Sequence, residues 1–281
     1  MWRTAALGLL LISQSFARAQ TVGVLEHTQC SQDQTRVVRP LFRHGPDGWS
    51  SLAAGASVDL YPSNWIVVGG GSEAPVRVKL PEATPELGWT HARDFSLSPT
   101  EVSAIPLAPN LAEAFGGWCD APKNRPLLLV SGSTDVPEYR GAKPKTPPPM
   151  SALRKGFLKS LPDGKLCVNY DDPHPTKIRE RDLLVTHDIV FPGNRRLIAV
   201  SLKRQLTECG SEIGGVEQPR WFVLEPSPRF IGASLTHVAT ADLDADGKPE
   251  HVFWFSGYNE DGYILFKSDF KQPLRFTWKY H

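Results

Sequence analysis

Three aspartates at alternate positions, Asp242, Asp244 and Asp246, precede Gly247, Lys248 and Glu250 in the stretch 241-ADLDADGKPEH-251. Carboxylates this close repel one another, and a divalent cation relieves that repulsion. With Asp242 as position one, side-chain oxygens fall at one, three and five. Gly247 at six permits a sharp turn, the Lys248 carbonyl can point inward at seven, and Glu250 supplies a carboxylate at nine. Hard oxygen donors converging on one centre suit Ca²⁺, which takes about six to eight oxygens at flexible angles, better than Mg²⁺ with its stricter octahedron. An EF-hand would need an acid at position twelve and a helix on each side. Position twelve is Phe253, inside an apolar run.

The residues that must position this loop read as strands, 235-LTHVATA-241 before it and 251-HVFWF-255 after it. The whole of 238-VATADLDADGKPEHVFWF-255 resembles the FG-GAP or VCBS repeat of bacterial secreted proteins and integrin-type propellers, with Glu250 where Asp is usual. The resemblance implies a calcium loop between two strands of a blade-like sheet, with Asp242, Asp244, Asp246, the Lys248 carbonyl and Glu250 as ligands. A propeller needs several copies at regular spacing. The stretches 163-DGKLCVNYDD-172 and 259-NEDGYILF-266 share only the Asp-Gly pair. The expectation is therefore one blade-like sheet packed on the rest of the chain, with a structural ion whose binding energy is folding energy.

Gly and Pro supply 48 of 281 residues, and β-branched and aromatic residues recur between them in short bursts, the pattern of strands separated by turns. Strands are expected at 36–42, 65–68, 76–80 and 127–130 in the first half. In the second they are expected at 183–191, 196–203, 220–224, 235–240, 251–255, 263–267 and 274–280. The run 274-LRFTWKY-280 alternates apolar and polar residues, as a half-buried antiparallel strand does. Gly-rich 69-GGGS-72 lacks the Lys-Ser/Thr of a phosphate loop and reads as a hairpin connection. One helix stands out, 151-SALRKGFLKSL-161, with Ser151 as the expected N-cap and Leu153, Phe157, Leu158 and Leu161 on one side. The fold class is mainly β: antiparallel sheets with one clear helix and a C-terminal blade-like β-meander carrying the acidic loop. The expected organisation is a signal peptide over 1–19, a β-rich domain over 20–141, a Pro-rich linker over 142–149 (AKPKTPPP), and a helix plus antiparallel β domain over 150–281.

The N-terminus supports the first of these divisions. It has Arg3, an apolar run from Ala5 to Ile12, and Ala17-Arg18-Ala19 before Gln20, the layout of a secretory signal peptide. The run is too short to cross a bilayer, and no membrane span is expected elsewhere. Without Arg3 and Arg18 the chain carries 29 Lys and Arg against 30 Asp and Glu. That balance favours neither nucleic acid nor an anionic membrane. Cys30, Cys119, Cys167 and Cys209 all follow the cleavage point, and export to an oxidising compartment predicts two disulfides. Three connectivities are possible. Cys30 with Cys119 and Cys167 with Cys209 is preferred, since each bond then stays within one half of the chain.

No Gly-x-Ser-x-Gly elbow, His-Glu-x-x-His or convincing Ser-x-x-Lys is present. His187 and Asp188 are neighbours on one strand and must face opposite ways. His174 lies between prolines, His237 and His251 bracket the acidic loop, and the pairs Asp171-Asp172 and Glu260-Asp261 read as solvated turns. Eight tryptophans serve the core by default, with Trp89 and Trp118, beside glycines in irregular segments, as candidates for contact with a carbohydrate or protein. The function expected is that of an exported, non-enzymatic, calcium-stabilised module, secreted or periplasmic, that binds a protein or a surface glycan. The alternative is a secreted hydrolase with an active site of unfamiliar type.

Overall fold

The computed structural model describes residues 20–27, 36–52, 61–69, 75–78, 97, 99–102, 121–131, 136–161, 165–168, 174–209, 219–257 and 259–279. Residues 1–19, expected to be a signal peptide, and Cys30, Cys119, Trp89, Trp118 and Asp171-Asp172 lie outside the described residues.

Among the described residues the chain is mainly β, in three large antiparallel sheets with one α-helix. The first sheet has seven strands, β1 (Gln20–His27), β2 (Arg36–Gly45), β3 (Gly48–Ser51), β4 (Asn64–Val67), β5 (Pro75–Val78), β6 (Pro99–Val102) and β7 (Leu127–Ser131), in the order β3-β2-β1-β7-β4-β5-β6. The short strands β8 (Leu166–Cys167) and β11 (Thr207–Glu208) pair with each other. The second large sheet runs β13-β12-β10-β9, from β9 (Leu183–Phe191), β10 (Arg195–Leu202), β12 (Arg220–Glu225) and β13 (Ser227–Ala233). The third is a plain meander of β14 (Leu235–Ala241), β15 (Glu250–Gly257), β16 (Glu260–Phe266) and β17 (Leu274–Lys279).

Strand periodicity assigns each residue of the meander to one of two cores. Val252, Trp254, Tyr263, Leu265, Phe276 and Trp278 pack with Val22, Leu41, Trp65 and Leu129 of the first sheet. Their neighbours Phe253, Ile264 and Phe266 pack instead with Leu197, Ala199, Trp221 and Val223 of the second sheet. The meander is thus covered on both faces, which is why 251-HVFWF-255 reads as a continuous apolar run rather than an alternation. The second sheet repeats the arrangement. Its other face, with Ile198, Val200 and Phe222, packs against Leu153 and Phe157 of helix α1 (Met150–Lys159). The layers are sheet, meander, sheet and helix, and the first core takes residues from both sides of the Pro-rich stretch.

Helix α1 corrects one expectation. It begins at Met150, its N-cap is Pro149 (φ −77°), and Ser151 lies inside its first turn. Consecutive prolines fix φ near the helical value, so the turn starts without a side-chain cap. The Leu153 N–H reaches the Pro149 carbonyl at 2.9 Å. The preceding residues lie along the second sheet: Ala142 bridges to Val190, and Arg196 donates to the Thr146 carbonyl at 2.9 Å and to Asp188 at 2.7 Å. Cys167 and Cys209 form a disulfide with Cα atoms 5.1 Å apart, as preferred from the sequence. Among the described residues no helix is long and apolar enough to cross a membrane.

Across the first core, Glu26 and Arg39 are fully buried, and Arg39 Nε donates to Glu26 Oε1 at 2.8 Å. The Tyr263 hydroxyl donates to Glu26 Oε2, so strand β1 is tied to the meander by a buried charge-assisted bond. Burial and the Glu26 carboxylate raise the Tyr263 pKa well above its ordinary value.

Candidate metal centre

The acidic loop joins β14 to β15, between the two strands expected to flank it. Leu243 and Pro249 turn inward as anchors, and Leu243 is fully buried in the first core. Two left-handed residues make the turn compact, Ala245 (φ +58°) and Gly247 (φ +83°). At Gly247 the missing Cβ removes the steric cost of that conformation.

Within this frame Asp242, Asp244 and Glu250 each offer a carboxylate oxygen, and the three oxygens lie within 4.8 Å of one another. Each side chain is held from outside the cluster. Asp242 Oδ2 accepts the Gly247 N–H at 2.9 Å, and Glu250 Oε2 accepts the Leu243 N–H at 2.8 Å. Asp244 Oδ2 accepts the indole N–H of Trp49 at 2.9 Å, and Oδ1 accepts the Asp246 N–H at 3.2 Å. The other Asp242 oxygen, Oδ1, is buried and has no hydrogen-bond partner. A buried carboxylate oxygen left so carries a desolvation cost that a cation would remove.

Glu250 is 3% exposed. Burial pushes its pKa up to about 8, the Leu243 N–H works against that rise, and the Asp244, Asp246 and Asp242 charges add to it. The cluster is thus short of positive charge, and its three convergent carboxylate oxygens could hold a metal ion.

Asp246 and Lys248, the other two residues expected as ligands, follow in the same turn. The exposed Asp246 carboxylate accepts the Lys248 N–H at 2.7 Å and faces Lys248 Nζ at 3.3 Å. Beside the cluster the structure brings up residues that sequence reasoning missed. The Trp49 ring lies tilted against His44 with ring centres 5.0 Å apart, and His44 Nε2 lies 3.7 Å from Asp244 Oδ2. Both come from the β2–β3 hairpin, about two hundred residues earlier, and no local signal in the sequence links them to the loop.

The histidines that bracket the loop, His251 buried and His237 half-buried, lie between the meander and the second sheet. His237 Nε2 meets Thr240 Oγ1 at 2.8 Å, and Thr240 Oγ1 meets His251 Nδ1 at 2.9 Å. His251 stacks on Phe270 at 4.3 Å and meets the edge of Phe191 at 4.8 Å. Desolvation, helped by the Arg125 and His187 charges, lowers His237 to about 3, and desolvation takes His251 well below its ordinary value. Asp188 pairs with Arg196 while His187 lies over Trp221, so the two do not act as a dyad. Asp261 is fully buried, unlike the solvated turn expected of Glu260-Asp261.

No family model, curated protein or solved structure matches this chain.

Proposed function

We propose that the acidic loop binds one structural Ca²⁺ that pins β14 to β15, in an exported, non-catalytic module that holds a protein or surface-glycan partner. The observation that carries the calcium reading is the buried Asp242 Oδ1 without a hydrogen-bond partner, next to carboxylate oxygens of Asp244 and Glu250. The likeness of residues 238–255 to the FG-GAP or VCBS loop supports the same reading, and export is supported by the layout of residues 1–19 and the Cys167–Cys209 disulfide. Asp242, Asp244 and Glu250 would hold the ion, with Trp49 and the Leu243 and Gly247 amides orienting them.

Extracellular calcium modules have dissociation constants of about 10⁻⁴ to 10⁻³ M. At about 10 mM Ca²⁺ such a site stabilises the fold by roughly 1.5–2.5 kcal/mol, a rise in Tm of about 3–8 °C over the protein in EGTA. Asp242→Ala should abolish the rise, and Asp246→Ala should keep most of it. A wild-type midpoint that is the same in EGTA and in calcium would sink the proposal.

A further inference from the structure

We infer a second site, for an oxyanion of the phosphate type, in the cleft between helix α1 and the segment Lys177–Arg181; it does not depend on the calcium reading. The cleft has a volume of about 430 Å³ and is lined by Arg154, Lys177, Ile178, Arg179, Glu180 and Arg181, four cations to one carboxylate. The imbalance extends around it. Residues 142–209 carry thirteen Lys and Arg against seven Asp and Glu, while the rest of residues 20–281 carries sixteen against twenty-three.

The basic segment is rigidly built. Ile178 is 2% exposed and packs in the core under α1 with Leu153 and Phe157, while Lys177 and Arg179 on either side of it are exposed. Period-two alternation therefore turns both cations outward. Arg154 reaches across from the helix, its Nε donating to the Ile178 carbonyl at 2.8 Å. On one flank the Thr176 N–H bonds the Leu166 carbonyl at 2.6 Å, next to the strand closed by the Cys167–Cys209 disulfide. On the other, Asp182 Oδ2 accepts the Arg179 N–H at 2.8 Å, and the Lys203 N–H bonds the Asp182 carbonyl at 2.9 Å.

Among the described residues Lys177, Arg179 and Arg181 form no ion pair. By contrast, Arg39, Arg125, Arg196 and Arg229 elsewhere in the chain each have a carboxylate. Four cations held beside one lining carboxylate raise the local potential and draw an anion. Guanidinium forks match the oxygens of a phosphate group two at a time, which an ammonium cannot do.

The probes are inorganic pyrophosphate, followed by titration calorimetry at low ionic strength, and vesicles of phosphatidylglycerol or of phosphatidylcholine, followed by co-sedimentation. Full-length mature protein should bind pyrophosphate, and Arg179→Ala/Arg181→Ala should weaken it by about tenfold or more, as expected for lost charge-assisted bonds. Lys203→Ala/Arg204→Ala, a basic pair outside the cleft, should leave binding unchanged. Lys177→Ala provides a milder cleft variant should the double variant fold poorly. Binding to phosphatidylglycerol vesicles alone, lost in the cleft variants, would assign the same site to a lipid phosphate. Binding to neither probe, or equal losses in the cleft and control variants, would overturn the inference.

Discussion

The indole N–H of Trp49 donates to Asp244 Oδ2 at 2.9 Å, joining a hairpin of the first sheet to the acidic loop of the meander. A metal-ligating carboxylate that is itself hydrogen-bonded is held in one orientation, and the loss of such a partner typically costs about 10–100-fold in metal affinity. Trp49→Phe keeps the ring packing on His44 and removes only the donor. Calorimetric titration should show calcium affinity falling by about tenfold. An unchanged affinity would mean that Trp49 is only packed there.

Glu250 predicts a calcium effect that grows with pH. Its folded pKa of about 8 lies above the ordinary carboxyl value of 4.5, so without metal the folded protein keeps a proton that the unfolded chain releases between those limits. Stability in EGTA should therefore fall as pH rises from about 5 to 8, by at most about 1.4 kcal/mol per pH unit. Calcium takes the ionised form and offsets the loss, so the gap between midpoints with and without calcium should widen over this range. Melting curves at pH 5, 6.5 and 8 measure it, and Glu250→Gln should flatten the dependence in EGTA. A gap of constant size would contradict the assignment of Glu250 as a ligand.

The buried Glu26 makes a further stability prediction. Glu26→Gln leaves the Arg39 guanidinium without its carboxylate in a closed core and weakens the bond from Tyr263. Breaking a buried pair by removing one partner costs about 3–5 kcal/mol. Urea unfolding should show a loss in that range, with calcium binding intact while the protein is folded. A loss below about 1 kcal/mol would show that the core holds the Arg39 guanidinium without the Glu26 charge.

The sequence makes local patterns legible and hides distant ones. The acidic loop and its flanking strands are readable because their spacing is local, and helix α1 because Leu153 and Phe157 repeat at helical spacing. Its start is not, because Ser151 is the better capping residue while the prolines before it set the backbone. Strand β13 was not expected, since 227-SPRFIGA-233 contains a proline and a glycine. As an edge strand it tolerates both. Asp246 has the spacing of a ligand, and its carboxylate also meets the Lys248 N–H and Nζ. The contacts of Trp49 and His44 with Asp244, and of Glu26 with Tyr263, join residues about two hundred positions apart and leave no trace in any short window.

Residues 138–142 carry a consequence out of proportion to their number. Glu138 bridges to Ala241 on the outer strand of the meander, and Ala142 bridges to Val190 on the outer strand of the second sheet. Between them Gly141 passes so close to Ile189 that a methyl group there would collide with it. One short ribbon thus hems two borders that would otherwise recruit strands from other molecules. Any side chain at Gly141 would push the ribbon off both borders together, and the molecule would become adhesive toward copies of itself while its interior stayed folded.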